Sequence, residues 1–353
     1  MGALKLGIVG CGVIASAHAS ALQGLRRAGF LDAEIAVVHD ADEERARRFG
    51  AHVGAGIAAS AEDVAAESDA VYVCTSTKGH LEAVRAAAHA GRPIFCEKPL
   101  ARDLQESLSL VAEATAAGVP VQVGLVLRTA PVFRRLAEIV ASGRFGRPMA
   151  VVMRDDQFFP TQGHYASTWR SDVTIAGAGA LLEHSIHDVD ILQDCFGPIE
   201  SASAASAVFG GHEGIEDSLS ALLRTESGLS MSLVSVWHEV LTRPSTRRLE
   251  VLFEKAFVSL ENDFTGPLTV QTSDGCELRQ CPPPEWVLEV PLPAGERGLG
   301  VRPYIEENRD FVDAVVSGRA PSPGLGEAIA AHRVVDACYR SAAGGGLPVS
   351  PTS

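Results

Sequence analysis

The first third of the chain reads as short apolar runs alternating with stretches of helical spacing. Leu4–Val9 is an apolar run that ends in glycines, and Ala15–Ala28 has helical composition. Glu34–His39 is a second apolar run, followed by the charged helical stretch Glu43–Phe49. Ala70–Thr75 and Pro93–Cys96 have the pattern of short buried strands, with the helix His80–Ala90 between them. The amphipathic stretch Asp103–Ala117 and the apolar run Val121–Val126 complete the series. Apolar runs of strand length separated by helices predict a parallel, doubly wound sheet.

After residue 126 the rhythm changes. A helix near Val132–Ser142 leads to the strand Met149–Asp155, a polar and aromatic loop, and the helical stretch Gly179–Phe196. Strand patterns then follow one another directly: Ala204–Val208, Leu219–Thr225, Leu229–Trp237, Arg248–Phe253, Phe257–Leu260 and Leu268–Thr272. Joints such as Glu226-Ser227-Gly228 and Ser273-Asp274-Gly275 carry turn residues, so these strands are expected to form an antiparallel sheet. Helices over Tyr304–Ser317 and Gly326–Ala343 end the pattern. Pro282–Pro303, rich in Pro and Gly, reads as a surface excursion, and the residues after Gly344 have the look of a disordered tail.

A length of 353 residues exceeds what one core usually absorbs, which calls for two domains. Their expected extents are 1–126 and 127–353. The net charge of -14 argues against nonspecific binding to nucleic acid or to anionic lipid. No apolar run reaches the roughly 20 residues of a membrane span, and the start lacks the features of a signal peptide. A cytoplasmic protein is therefore expected. The seven cysteines form no C-x-x-C pair and read as small buried residues rather than as disulfides.

Gly10-Cys11-Gly12-Val13-Ile14-Ala15 stands between a strand and a helix. It is the G-x-G-x-x-A form of the dinucleotide fingerprint, and it makes the first domain a Rossmann domain. Gly10 permits the tight turn, Gly12 lets a pyrophosphate approach the backbone, and Val13 and Ile14 open the helix whose amides face the phosphates. Asp40, at the end of the second strand, is expected to bind the ribose hydroxyls and to repel a 2′-phosphate. That favours NAD, while Arg45, Arg47 and Arg48 keep NADP open as the alternative. A helix-capping role for Asp40 is the competing reading.

Two further stretches complete a recognisable set: Glu97-Lys98-Pro99 just after the fifth strand, and Gly177-Ala178-Gly179-Ala180-Leu181-Leu182-Glu183-His184-Ser185-Ile186-His187-Asp188-Val189-Asp190. With the glycine fingerprint they resemble the glucose–fructose oxidoreductase / inositol dehydrogenase / rhizopine catabolism (Gfo/Idh/MocA) family over almost the whole chain. The resemblance implies an α/β protein: an N-terminal Rossmann domain with a parallel sheet, then an α+β domain with a large, open, mostly antiparallel sheet. It implies a catalytic role for Lys98 beside the nicotinamide, with Glu97 and Lys98 also lining the cofactor, and it makes His187 the catalytic histidine. Glu183 stands where the family usually has Asp, and Ser185 where it often has Gly. Four residues before His187, Glu183 would share its helical face and orient the imidazole.

Thr75 and Ser76 are expected to line the cofactor, and Arg128, His164, Trp169 and Arg170 the substrate. Trp237 and His238 are core or rim. His184 and Asp188 read as a brace of the helix, and no metal is expected. The activity implied is NAD(P)-dependent hydride transfer at a secondary alcohol or ketone carbon of a sugar, inositol or related polyol. The rival readings are a biosynthetic keto-sugar reductase, a redox-neutral enzyme that retains its NAD, and a noncatalytic dinucleotide-binding sensor. The expected partners are a small sugar-like substrate and further copies of the chain, as a homodimer or homotetramer joined through the C-terminal sheet.

Overall fold

Strands buried on both faces build the first sheet. In the computed structural model, which describes residues 2–163, 165–293 and 296–352, these are β1 (Leu4–Val9), β2 (Ala33–His39), β3 (Gly56–Ile57), β4 (Ala70–Val73), β5 (Ile94–Cys96) and β6 (Val121–Val123). They lie in the order β3-β2-β1-β4-β5-β6, and every pairing is parallel. The order reverses between β1 and β4, which opens a crevice at the carboxyl ends of these strands. Two elements escaped the pattern. β3 is only two exposed residues, and the alanine-rich helix Ala61–Glu67 has little apolar periodicity; its start is capped by Ser60. β4 and β6 stop short of Thr75 and Val126, because Thr77–Gly79 and Val126–Thr129 wind into 3₁₀ turns.

The chain forms two units. The first comprises Met1–Thr129 and Pro284–Ala328, so a late segment returns to the parallel sheet. The expectation of a surface excursion at Pro282–Pro303 fails for this reason. Glu285–Glu289 is a short helix, and Val287 and Val290 are buried in one core with Leu22, Leu25 and Phe311. Gly24 allows the close approach: a Cβ there would lie 2.8 Å from the Pro291 carbonyl oxygen and from Val290. Trp286 meets Phe30 edge-on, and the Arg309 guanidinium sits 4.3 Å over the Trp286 ring, a cation–π contact.

The second unit comprises Ala130–Pro283 and Ile329–Ser353. Its strands are β7 (Pro148–Phe158), β8 (Ile199–Ala207), β9 (Ser218–Thr225), β10 (Ser230–His238), β11 (Thr246–Phe253), β12 (Phe257–Leu260), β13 (Leu268–Thr272) and β14 (Gly275–Arg279). The order is β14-β13-β12-β11-β7-β10-β9-β8. Only β7 and β10 pair in parallel; all other pairings are antiparallel. β9, β10 and β11 alternate strictly between more and less buried positions, so one face of the sheet is covered and the other is not. β14 went unpredicted because its residues are largely exposed and show no alternation. The stretch after Gly344 is not a loose tail, since Val349 and Ala202 exchange two backbone hydrogen bonds of 2.9 Å. Among the described residues, no helix is long and apolar enough to cross a membrane.

Val287→Ala tests the core role of the returning segment. Removing two buried methyl groups should cost about 2 kcal/mol, read as a lower denaturant midpoint with an unchanged slope. A segment on the surface would lose no more than about 0.5 kcal/mol.

Candidate active site

In the first unit the glycine loop is shaped by backbone contact. Gly10 has φ +92°, and a Cβ there would lie 2.5 Å from the backbone of Cys74 and Thr75. A side chain is therefore excluded on both conformational and steric grounds. A Cβ at Gly12 would meet nothing within 4 Å, so space lies open over the loop. Gly12 begins the helix Val13–Arg27 with no side-chain cap and no acidic residue in the first turn. Val13 is exposed and Ala15 fully buried. Uncapped amides beneath open space fit a dinucleotide pyrophosphate. The Thr75 hydroxyl oxygen is buried with no hydrogen-bond partner, while the Thr75 backbone packs against Gly10. Ser76 lies at the start of the 3₁₀ turn beyond it.

Asp40 follows β2 directly. One of its oxygens accepts the Cys11 N–H at 2.8 Å, the other accepts the Asp42 N–H at 2.9 Å, and Arg45 Nη1 lies 3.3 Å away. The next helix is capped by Asp42, which accepts the Arg45 N–H. Asp40 is therefore a brace of the glycine loop and not that helix's side-chain cap. Each arginine that kept NADP open faces carboxylates: Arg45 faces Asp40 and Asp42, Arg47 faces Glu43 and Glu44, and Arg48 faces Glu44. Burial, and then the Asp40 charge, push the Cys11 thiol up to about 12, which makes it a poor nucleophile.

Lys98 stands two residues past β5, at the crevice end of the sheet. The backbone around it is pinned. The Glu97 N–H donates to the Val73 carbonyl at 3.0 Å, the Lys98 N–H to Glu97 Oε2 at 3.1 Å, and His80 Nδ1 lies 2.8 Å from the Pro99 carbonyl oxygen. Glu97 itself is buried, with Oε1 2.8 Å from His18 Nε2. Arg128 lies half-buried in the 3₁₀ turn after β6.

In the second unit, Glu183 and His187 are both buried, but not on one unbroken α-helix. Leu181–Ser185 winds as a π turn and the α-helix runs over Ile186–Phe196. The four-residue spacing between them is therefore not the α spacing assumed from the sequence. The cause lies upstream. Gly179 packs so tightly that a Cβ would fall 1.8 Å from the Glu216 carbonyl oxygen. The Glu216 carboxylate accepts the N–H groups of Gly179 and Leu181 at 2.6 and 2.9 Å and the Tyr339 hydroxyl at 2.8 Å. The Tyr339 oxygen in turn accepts the Leu182 N–H at 3.1 Å. Thus the open amides at the helix start are met by side chains from far along the chain.

The Glu183 carboxylate accepts a hydrogen bond of 3.1 Å from Arg170 Nε. The Arg170 guanidinium lies 4.3 Å over the Trp169 ring. Three residues named from the sequence thereby come together. Trp237 is buried in a small cluster with Phe159, Ala176, Ala180 and Ile215, and His238 accepts the Val240 N–H and lies 3.5 Å from Asp156. His164 falls outside the described residues.

His184 and Asp188 brace the helix against the sheet through Arg247. Asp155 of β7 lies directly across from Arg247 of β11 on one side and Ser235 of β10 on the other. Arg247 donates to Asp188 at 2.8 Å, Asp263 at 2.5 Å and Asp155 at 3.4 Å, and lies 3.2 Å from His184. Ser185 donates to Asp155 at 2.7 Å. Burial pushes the Asp155 carboxyl up, but Arg247 and then His184 outweigh it and hold it well below the usual range. Burial drives Asp188 well above that range, against Arg247 and with the aid of Asp155. The fold thus pushes the two carboxyls in opposite directions, Asp155 toward its charged form and Asp188 toward its neutral one. Among the described residues, no group of three or more His, Cys, Asp or Glu is arranged to hold a metal.

Residues 4–125 match the family model described as the oxidoreductase family with an NAD-binding Rossmann fold, and residues 133–259 match the GFO/IDH/MocA C-terminal domain. The chain is 26% identical to an inositol 2-dehydrogenase of Rhizobium meliloti (strain 1021), over 96% of this chain and 97% of that protein. It is 30% identical to a 1,5-anhydro-D-fructose reductase of Ensifer adhaerens, over 63% of this chain and 65% of the reductase. A solved levoglucosan dehydrogenase, in complex with NADH and levoglucosan, superposes with a TM-score of 0.88 over 99% of this chain and all (100%) of that one, at 22% identity. That likeness is one of fold.

The opposite shifts of the two aspartates make a test. Asp188→Asn should change stability at neutral pH by less than about 1 kcal/mol, because an amide of the same shape can accept from Arg247 and replaces an acid pushed toward its neutral form. Asp155→Asn removes a charge the fold holds and should cost about 2–3 kcal/mol. The Asp155 contribution is complete above the unfolded value of about 4 and is lost as the pH falls toward its lower folded value. Denaturant titrations of both variants across acid and neutral pH check this; equal costs would refute the assignment.

Proposed function

The chain belongs to the Gfo/Idh/MocA oxidoreductase family, and on that premise we propose that it moves a hydride at a secondary alcohol or ketone carbon of a cyclic polyol or sugar. It is an NAD-binding oxidoreductase. The observation that carries the reading is Lys98, its backbone pinned at the carboxyl end of β5 beside the strand-order reversal, where doubly wound sheets bind their ligands. The named activities of the relatives, on inositol and anhydrofructose, supply the substrate class.

NAD, held at Gly10, Gly12, Val13 and Ile14, would supply the hydride acceptor for oxidation and the hydride donor for reduction. The Lys98 ammonium polarises the reacting oxygen and stabilises charge that develops on it. His187 takes the hydroxyl proton as the carbonyl forms and returns it in the reverse direction. Glu183, held by Arg170, sets the charge beside that histidine. The Arg170–Trp169 stack offers an aromatic surface with a directed cation, a combination suited to a sugar ring. Arg128 is the remaining polar contact we assign to the substrate. Gly10, Gly12, Val13 and Ile14 cradle the pyrophosphate, Asp40 takes the ribose hydroxyls, and Thr75, Ser76 and Glu97 line the cofactor's nicotinamide half.

We place the protein in the cytoplasm. We read the uncovered face of the eight-stranded sheet, where Val152, Leu222 and Leu252 are exposed, as the contact of a homodimer or homotetramer. Residues 1–126 then serve as the nucleotide-binding domain, and 127–353 carry substrate binding and oligomerisation, with 284–328 lent back to the nucleotide-binding unit.

The test is a screen of inositols, hexoses and sugar acids with NAD and NADP, followed by variants on whatever is turned over. Lys98→Ala and His187→Ala should each lower kcat on the order of 100-fold or more while NAD affinity holds. Wild-type turnover in either variant refutes its role. Asp40→Ser should narrow the preference for NAD over NADP, because the repulsion of a 2′-phosphate is removed. Unchanged affinities for both cofactors, measured by fluorescence titration, would take Asp40 out of the ribose site.

A further inference from the structure

The helix that offers its N-terminus to the pyrophosphate carries a histidine one turn and a half further on. His18 is completely buried, on the face that also carries Ala15, Ala19 and Leu22. It sits among the rings of Phe95, Tyr304 and Tyr72, at centroid distances of 4.8, 5.3 and 5.5 Å. An imidazole in such a cage must satisfy both ring nitrogens. Nδ1 lies 2.9 Å from Asn308 Nδ2, and that amide nitrogen also donates to the Tyr304 carbonyl at 2.7 Å. An amide oxygen at that distance would be repelled by the Tyr304 carbonyl oxygen, which sets the orientation of the Asn308 amide and leaves its Oδ1 3.2 Å from Nδ1. Glu97 Oε1 lies 2.8 Å from Nε2, and a carboxylate oxygen accepts, so Nε2 carries a ring proton aimed at Glu97.

Glu97 passes the constraint on. Its second oxygen accepts the Lys98 N–H at 3.1 Å. There is no slack around the carboxylate, since a Cβ on Gly124 would lie 2.9 Å from it. Glu307, another buried carboxyl nearby, is pushed well up by burial, then by Glu97 and Asp310. An unbroken series of hydrogen bonds therefore runs from Asn308 through His18 and Glu97 to the backbone of Lys98.

We propose that His18 is a positioning residue for hydride transfer: by holding Glu97 it fixes how Lys98 is presented, and it ties that presentation to the helix on which the dinucleotide sits. The inference rests on the role given to Lys98 above. His18 touches neither substrate nor reacting atoms in this scheme.

Lys98 can be followed without any substrate. Trinitrobenzenesulfonate labels lysine amines, and peptide mapping separates half-buried Lys98 from the exposed Lys5, Lys78 and Lys255, which serve as references in the same molecule. His18→Phe fills the aromatic cage but removes the bond to Glu97. It should change the labelling rate of Lys98 about threefold or more and leave the three references unchanged. On the polyol found in the screen, kcat should fall on the order of 10- to 100-fold, while the affinity for NAD stays within about twofold. His18→Gln, whose amide can donate to Glu97 and accept from Asn308, should recover most of both readouts. If His18→Phe does not fold, Glu97→Gln reads the same link: its amide oxygen can accept from only one of the two donors, so Lys98 labelling should shift. Wild-type labelling of Lys98 in the folded variant, with wild-type kcat, overturns the proposal. Failure of the underlying reading looks different, because Lys98→Ala itself would then turn over normally whatever His18 does.

Discussion

A guanidinium without water must find an acceptor for every donor direction or unfold its surroundings, and Arg247 is such a group. Its side chain is 3% exposed, with Asp188, Asp263 and Asp155 on its three nitrogens. A buried ion network of this kind adds little net stability, since desolvation consumes most of the attraction. What it supplies is a single allowed arrangement. β11, β7, the loop at Asp263 and the helix Ile186–Phe196 each contribute one partner, so none can slide or rotate without leaving a charge unmet. The rotation of that helix decides where His187 points. The upward shift of Asp188 follows from the same accounting of charge, because Arg247 is shared among three carboxylates and Asp188 is fully buried.

The first unit solves a related problem with main-chain bonds. Lys98 has a long, flexible side chain whose direction is worth little unless its root is fixed. Val73, Glu97 and His80 pin the backbone on both sides of it. The glycine loop is treated likewise: Asp40 holds the Cys11 amide, while the helix start beyond Gly12 has no side-chain cap. In both units, the bonds that fix the backbone lie behind the groups we assign to the ligand site.

Features written in a few neighbouring residues were legible in the sequence. The glycine fingerprint, Glu97-Lys98-Pro99 and the motif around His187 are local, and the alternation of strands and helices announces the parallel sheet. The partners that set geometry were not legible, because they meet across long separations. His18 and Glu97 are 79 residues apart, Asp188 and Arg247 are 59, and Asp155 and Arg247 are 92. A weak signal existed: Arg247 falls at an inward position of a strand whose other inward residues are Leu249, Val251 and Phe253, Asp155 follows Val151 and Met153 on the inward face of its own, and His18 interrupts an alanine-rich buried face. The π turn had none, since Leu181–Ser185 is ordinary helix sequence and its winding depends on Glu216 and Tyr339. The return of residues 284–328 was hidden for the same reason, their proline content reading locally as loop.

That return has a consequence for how the protein is made. A ribosome that has released the first 129 residues has released a parallel sheet with only part of its covering, because Val287, Val290, Ile305 and Phe311 are still to be synthesised. Leu22, Leu25 and Phe95 belong to that same core and stay open to water in the meantime. At elongation rates of about 5–20 residues per second, the wait lasts on the order of ten seconds. The nascent chain thus carries an apolar surface through most of its synthesis, and the order of translation, rather than the strength of any one contact, sets how long that surface is available to chaperones.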